Sequence, residues 1–579
     1  MVNVLKLYEK DEIKISSKLQ NIRKWGEKMQ TFKPMILTDL KNYSAKKLSK
    51  DIISGIIVAV IALPLSIALA IASGVAPEAG IYTAVVAGFI TSLLGGSSVQ
   101  IAGPTAAFAT IVAGIVAQKG MQGLMLATVL AGIILIIMGI FKLGNLIKFI
   151  PFSITTGFTA GIAVTLVIGQ LKHFAGVSYM YGENPIETFE KLGAFCSNIS
   201  TVNFEALAVG AVCLLILFVL PRFFDKIPAS LVAVVAGTFM VMGLNMNVNT
   251  IGDLYDVSCG TLHFQMPEFS FGMIADAIPD AITIAVLAGI ESLLSCVVAD
   301  GMINGKHRPN TELIAQGAAN IGSALYGGIP ATGAIARTAA NVKNGGRTPV
   351  AGIVHSLVLF AVLAALMKYA SYIPMPAIAA ILINVAYNMC GHKTFVKFVK
   401  KSPKSDIIVL ISTFVLTVAF DLVVAIDFGV IAACVLFMKR MSDESGVEGW
   451  KYSQKNDSDK TLMNVPEYIS VYEFNGPMFF AVAGQISNVT VKEGITCIII
   501  RMRGVMSLDA DALRGIEELT GKCRSQGAEI VLSHVNAQPM KAMRKYGLVD
   551  IIGEENIMPD INSAMERAQA FKPQMAEKE

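Results

Sequence analysis

Two short stretches decide the reading of this chain: Gly103-Pro104-Thr105-Ala106-Ala107-Phe108 and Ile329-Pro330-Ala331-Thr332-Gly333-Ala334. Each interrupts an apolar segment with Pro, Gly and small residues. The run from Ile52 to Gln118, which contains the first, holds one charged residue, Glu78. A helical crossing of a bilayer takes roughly 20 apolar residues, so this tract is several crossings. A break inside it frees backbone N–H and C=O groups that hydrocarbon cannot satisfy, and it persists only where they face protein, water or a ligand. The two prolines lie 226 positions apart, 330 less 104, and the same offset carries Ser66 onto Ser292 and Leu65 onto Glu291. Paired breaks at matching places in two halves point to a transporter site built between inverted repeats. The alternative is chance likeness among Gly- and Ala-rich packing helices.

Working outward, the composition agrees with a membrane protein. The 579 residues are 54% hydrophobic and 16% charged, with a mean hydropathy of +0.60. That is too little charge to cover a soluble protein of this size. Window hydropathy gives about fourteen segments, clearest at 121–141, 205–220, 228–244, 275–299, 350–369 and 422–438. Residues 1–50 form a basic arm with twelve Lys or Arg against five Asp or Glu. The positive-inside rule keeps that arm in the cytoplasm. An even number of crossings returns the C-terminus there, past Lys439 and Arg440, so the expected place is a bacterial inner (plasma) membrane with both termini cytoplasmic. The arm is too long and mixed for a cleaved signal peptide; Ile15 to Met29 could lie along the interface as an amphipathic helix. The expected domains are the arm, a membrane region 51–440, a polar linker 441–466, a compact α/β domain 467–571 and a tail 572–579.

Several functions find no support. The net charge of +4 suggests no nucleic-acid partner, and the eight cysteines are scattered with no CxxC pair. No P-loop, nucleophile motif or metal-ligand cluster is present, so neither an enzyme nor an ATP-driven pump is indicated, and no cofactor is expected.

The breaks carry their own chemistry. A helix that starts near the midplane aims unpaired N–H groups and a positive dipole end at whatever lies in front of it. Two opposed starts make an anion site. Pro104 and Pro330 suit the first turn of such helices, and the small residues after them let a ligand reach the backbone. Arg337 is the only charge between Leu313 and Asn341, and a lone Arg in a membrane segment is a functional candidate. It either holds the anion or is structural, paired with a carboxylate or snorkelling. Glu291 is the only charge from Ala281 to Ala299. Desolvation disfavours an ionised carboxylate in an apolar helix, so Glu291, supported by Ser292 and Ser295, is the expected proton-coupling group. A permanent pair with Arg337 is the competing reading.

The stretches AGPTAAFATI from Ala102, AGIESLLSCVVADGM from Ala288 and GGIPATGAIARTAANVKNGGRTPVAGIVHS from Gly327 resemble the sulfate permease family, the bacterial relatives of solute carrier family twenty-six. The resemblance covers nearly the whole chain and is strongest for enterobacterial C4-dicarboxylate (succinate) carriers, more loosely for cyanobacterial bicarbonate carriers. It implies a polytopic α-helical fold of seven-plus-seven inverted repeats split into core and gate domains. It also implies elevator-like transport of a small anion, a homodimer in the lipid bilayer, and a C-terminal STAS domain. It places the anion among Leu65, Leu69, Thr105, Ala106, Ala107, Phe108, Thr332, Gly333, Ala334, Ile335 and Arg337. Leu65 and Leu69 replace a Gln and an aromatic residue frequent in the family, which removes polar contacts. Glu291 where a related carrier has Asp favours protons over sodium.

In the C-terminal region, 496–500 and 528–533 are continuous apolar runs expected as buried strands. Leu513–Cys523 and Pro539–Tyr546 are expected helices. By resemblance to phosphoregulated relatives, Ala510 occupies the phosphosite in the loop from Ser507 to Asp511, so no phosphoswitch of that kind is expected. Docking of a cytoplasmic partner, trafficking or dimer stability are the expected roles. Three other functions stay open from sequence alone: an anion channel or uncoupled exchanger, a nucleobase carrier, and a membrane sensor signalling through the STAS domain.

Overall fold

The structure is a computed structural model. It describes residues 32–572 apart from 146–150, 180–184, 186, 225–227, 258–261, 268–269, 421 and 450–464. The interfacial helix expected over Ile15–Met29 falls outside the described residues. The chain forms two compact units, Met1–Val430 and Ile431–Glu579.

In the first unit the longer elements run α1 (Ala45–Ala72), α2 (Pro77–Leu94), β1 (Ala102–Gly103), α3 (Ala106–Ile140), α4 (Phe152–Ala175), α5 (Phe204–Phe223), α6 (Ala229–Gly243), α7 (Phe271–Ile303), α8 (Pro309–Leu325), β2 (Thr332–Gly333), α9 (Ile335–Lys343), α10 (Val350–Leu366), α11 (Met375–Cys390), α12 (His392–Lys401), α13 (Lys404–Ala419) and α14 (Leu422–Glu444). Helix α3 is two helices end to end, because Gly120 inside it is left-handed in φ (68°, with ψ −174°). Counted so, and apart from the amphipathic Thr188–Ser197 and α12, seven membrane-type segments precede residue 250 and seven follow among the described residues. Among the described residues, seven helices are long and apolar enough to cross a membrane by length and composition. Others, α6, α8, α9, α11 and α13, are shorter, in keeping with Gly and Pro interrupting apolar runs. Pro64 is an exception: it lies buried inside a continuous α1.

Packing repeats between the halves. Helix α10 covers α1 and α2, and α3 covers α7 and α8 in the same manner; α4 lies against α13 as α11 lies against α5. The α3–α8 crossing is backbone-close. A Cβ at Gly132 would come within 2.6 Å of the Gly317 carbonyl oxygen, and one at Gly317 would strike the Gly132 carbonyl. Close approach of this kind lets dispersion and weak polar contacts hold helices together where lipid removes the hydrophobic drive.

Helix α14 crosses from the first unit into the second. The stretch 441–466, expected as a linker, opens with the end of this helix and contains β3 (Gly446–Gly449). The second unit continues β4 (Ile469–Asn475), α15 (Phe480–Ile486), β5 (Cys497–Gly504), α16 (Ala510–Ser525), β6 (Glu529–Ser533), α17 (Ala537–Tyr546), α18 (Leu548–Ile552), β7 (Ile557–Met558) and α19 (Ile561–Gln569). Its five strands lie in the order β3-β4-β5-β6-β7, antiparallel at β3–β4 and parallel elsewhere. Period-two alternation along β5 explains its continuous apolar run. Ile498 and Ile500 enter the cluster with Ile516 and Leu519 of α16, while Cys497 and Ile499 enter the one with Ile561 and Ala564 of α19. Asp509 ends the 507–511 loop by capping α16, accepting from the Ala512 N–H at 2.9 Å.

Candidate functional site

The two broken segments meet. β1 pairs antiparallel with β2, Ala102 opposite Gly333 and Gly103 opposite Thr332, and the Ala334 N–H donates to the Ile101 carbonyl at 2.9 Å. Helices α3 and α9 start from opposite ends of this two-stranded crossing. Their N-cap residues, Thr105 and Ala334, are extended, and no side chain caps either start. The free N–H groups and the dipole ends therefore remain available at the crossing.

Both strand glycines are overlaid by a polar side chain attached to the other strand's flank. A Cβ at Gly103 would collide with Nη1 of Arg337, and one at Gly333 with the Gln100 amide. Only Gly permits that approach. The prolines do not occupy the expected place: Pro104 precedes the α3 N-cap and Pro330 precedes β2, five residues before α9. Neither sits in a helical first turn. The strands correspond by 230 residues, Ala102 to Thr332, and not by the proline offset of 226. The 226 offset does hold for Ser66 and Ser292, on α1 and α7, each of which bonds a group at the crossing.

A buried polar lattice fixes the geometry. Ser292 Oγ accepts from the Gly333 N–H at 3.0 Å and lies 2.7 Å from Thr332 Oγ1. Gln100 donates to the Ser292 carbonyl at 3.1 Å and accepts from Ser295 Oγ at 2.9 Å. The Asn320 amide of α8 holds both the N–H and the C=O of Ala331, each at 2.9 Å, standing in for a strand partner. Thr338 accepts from the Ile101 N–H at 3.1 Å, and Asn341 donates to the Val99 carbonyl at 2.9 Å. Sequence reasoning missed Gln100, Asn320, Thr338 and Asn341. Their signal was available as amides and hydroxyls in nearly chargeless segments, since a buried polar group needs a partner.

Arg337 and Glu291 both reach the crossing but do not pair. Arg337 is 1% exposed. It donates from Nη2 to the Pro104 carbonyl at 3.1 Å and to Ser66 Oγ at 3.3 Å. Its Nε and Nη1 have no hydrogen-bond partner, and among the described residues no carboxylate forms an ion pair with it. Glu291 accepts instead from Thr105 Oγ1 at 3.1 Å. Ser295 serves Gln100 rather than Glu291.

The remaining expected residues divide by environment. Thr105 is half-buried and Ile335 is 41% exposed, so the crossing opens beside the start of α9. Thr332, Gly333 and Ala334 are buried in the lattice. Leu69 and Ala106 are buried in one apolar cluster, with Leu65 packed against it. Ala107 and Phe108 lie in a second cluster with Phe158, Leu287 and Ala288. The arrangement concentrates positive potential from one fixed guanidinium and two helix starts in a site with low dielectric, and leaves one carboxyl hydrogen-bonded at its edge. It can hold an anion.

Comparison with known proteins gives the same class. Residues 48–413 match the sulfate permease family and residues 460–564 match the STAS domain. The chain is 37% identical over 526 residues to YvdB of Bacillus subtilis (strain 168), covering 89% of this chain and 97% of that protein. It is 32% identical over 455 residues to the bicarbonate transporter BicA of Picosynechococcus, covering 76% and 80%. Among solved structures, the fold is similar to murine solute carrier 26 family member A9, an anion transporter in its inward-facing state, with TM-score 0.83 at 17% identity over 93% of this chain and 94% of that one. The transmembrane domain of a cyanobacterial BicA superposes with TM-score 0.59 at 29% identity, over 68% and 98%.

Proposed function

Because this chain belongs to the sulfate permease family and is a multi-pass membrane anion transporter with a STAS domain, we propose that it is a secondary active, proton-coupled importer of a small oxyanion or carboxylate. The observation that carries the reading is Arg337, a buried guanidinium with two unpartnered nitrogens, Nε and Nη1, at the meeting of two uncapped helix starts. A charge buried without a counterion is costly, and an anion bound there offsets that cost. The anion sits among Thr105, Ala106, Thr332, Gly333, Ala334 and Arg337, entering beside Ile335. Leu65, Leu69, Ala107, Phe108 shape the apolar wall behind it. The guanidinium and the two helix starts suit a compact anion such as sulfate, bicarbonate or a C4-dicarboxylate; the family name and the bicarbonate relative support the first two.

Glu291 is the proton carrier. Protonated, it withdraws negative charge from beside the anion; ionised, it repels the anion and favours release. The body of α1, α2, α3, α7, α8, α9 and α10 moves the site past the body of α4, α5, α6, α11 and α13 in an elevator-like step. The two bodies are the inverted repeats' core and gate. The working unit is a homodimer in the bacterial inner membrane, both termini cytoplasmic, and the STAS domain docks a cytoplasmic partner or steadies the dimer.

The test is uptake of labelled sulfate, bicarbonate and succinate into proteoliposomes, with and without an inward proton gradient. Accumulation of one anion, driven by the gradient, is the expected result. Equilibration without response to the gradient identifies an uncoupled exchanger or channel. Binding with no flux identifies a sensor.

A further inference from the structure

We infer that α12 is a lipid-anchoring helix that binds the phosphate-bearing headgroups of anionic phospholipids at the membrane boundary. Four of its ten residues are lysines, Lys393, Lys397, Lys400 and Lys401. At i, i+4, i+7 and i+8 they fall on one helical face, and Lys404 follows one turn on. No Asp or Glu lies between Gly391 and Lys404, and the ion pairs among the described residues leave these lysines out. Glu291 and Arg337, the groups of the transport site, play no part here.

The opposite face is apolar and tethered. Phe395 meets Phe414 of α13 edge-on at 5.6 Å, and Phe398 lies 6.0 Å from Phe152 at the start of α4. His392 stacks near Tyr387 of α11 at 5.2 Å. These contacts hold the helix against the start of α4, the last turn of α11 and the body of α13. No residue of α12 is buried, and Val396, at the edge of the apolar face, is 47% exposed. A helix of this pattern lies in the interface with its apolar face toward acyl chains and its lysines among headgroups. Its joints fix the partner. α11 ends at Cys390 and α13 begins at Lys404, so the headgroup layer is the surface directly within reach. The four lysines of α12, with no Asp or Glu on that helix, complement its phosphates.

The full-length protein is equilibrated in mixed micelles with phosphatidylglycerol and phosphatidylcholine, and retained lipid is counted by native mass spectrometry. Phosphatidylglycerol should be retained preferentially, and rising sodium chloride should erase the preference. K393Q/K397Q/K400Q/K401Q should lower that affinity by at least tenfold, since one lysine near an anionic surface is worth on the order of fivefold. Its elution volume and its uptake in phosphatidylcholine vesicles should be unchanged. Inorganic phosphate at the same concentration should not displace the lipid. The inference is overturned if the variant keeps the preference, if salt leaves the wild-type preference intact, or if free phosphate competes equally, which would make the face a phosphate site and not a lipid one.

Discussion

Replacing Arg337 with Met removes the guanidinium while keeping an unbranched apolar stem. The wild-type group donates two bonds to protein and keeps Nε and Nη1 unpartnered. A hydrogen bond to a charged group contributes about 1.5–3 kcal/mol. One such bond to the anion, at about 2–3 kcal/mol, corresponds to roughly 30- to 150-fold in Kd. The unpartnered N–H groups that remain make this a floor. Thermal unfolding at fixed anion concentration reads the loss without requiring transport. At 100 times its own Kd, wild type gains about 2.7 kcal/mol. With Kd raised about a hundredfold, the variant at that concentration gains only about 0.4 kcal/mol. The anion-free variant should melt close to wild type, because losing a buried unpaired charge offsets the lost bonds. Sulfate, bicarbonate and succinate serve as the panel. If Arg337→Met keeps a ligand-induced stabilisation within about 0.4 kcal/mol of wild type, the guanidinium does not hold the anion.

Three further perturbations test other links. Glu291→Gln keeps an oxygen for the Thr105 bond but cannot release a proton; anion binding should survive while gradient-driven accumulation falls to simple equilibration, and unchanged stimulation would remove Glu291 from the coupling role. Gly317→Val pushes a side chain against the Gly132 carbonyl and to within 2.7 Å of Ile136; overpacking of this kind costs about 1–3 kcal/mol, so detergent-solubilised protein should melt earlier by size-exclusion thermal assay, and a wild-type melt would mean the crossing is loose. In the STAS domain, burial pushes the thiols of Cys497 and Cys523 up to about 12 and about 11. A raised thiol stays protonated below its shifted value, so at pH 8 both should resist maleimide in folded protein and label fully after denaturation, read by peptide mass spectrometry. Ready labelling at pH 8 would contradict their burial.

Much of this protein was legible without coordinates. Long chargeless runs set the membrane class, because hydrocarbon excludes charge. The breaks at 103–108 and 329–334 marked the segments that meet at the β1–β2 crossing, because lipid tolerates no free backbone except at a protected place. Arg337 and Glu291 announced themselves by being alone, and β5 by its apolar run. The start of the stretch 441–466 was not legible: β3, with the sequence Gly-Val-Glu-Gly, is a strand only because β4 lends it an antiparallel edge.

Sequence by itself determined which residues are apolar, which are charged and where a helix cannot continue, all properties of a residue and its near neighbours. Tertiary structure alone decided the partners. Glu291 bonds Thr105 across 186 positions, Arg337 bonds Pro104 across 233, and neither bonds the other. The strands pair in a register that the matching prolines do not reveal. Helix packing sets those choices. The distance between two side chains on different helices depends on crossing angle and depth, to which many residues contribute at once, and no spacing along the chain encodes it.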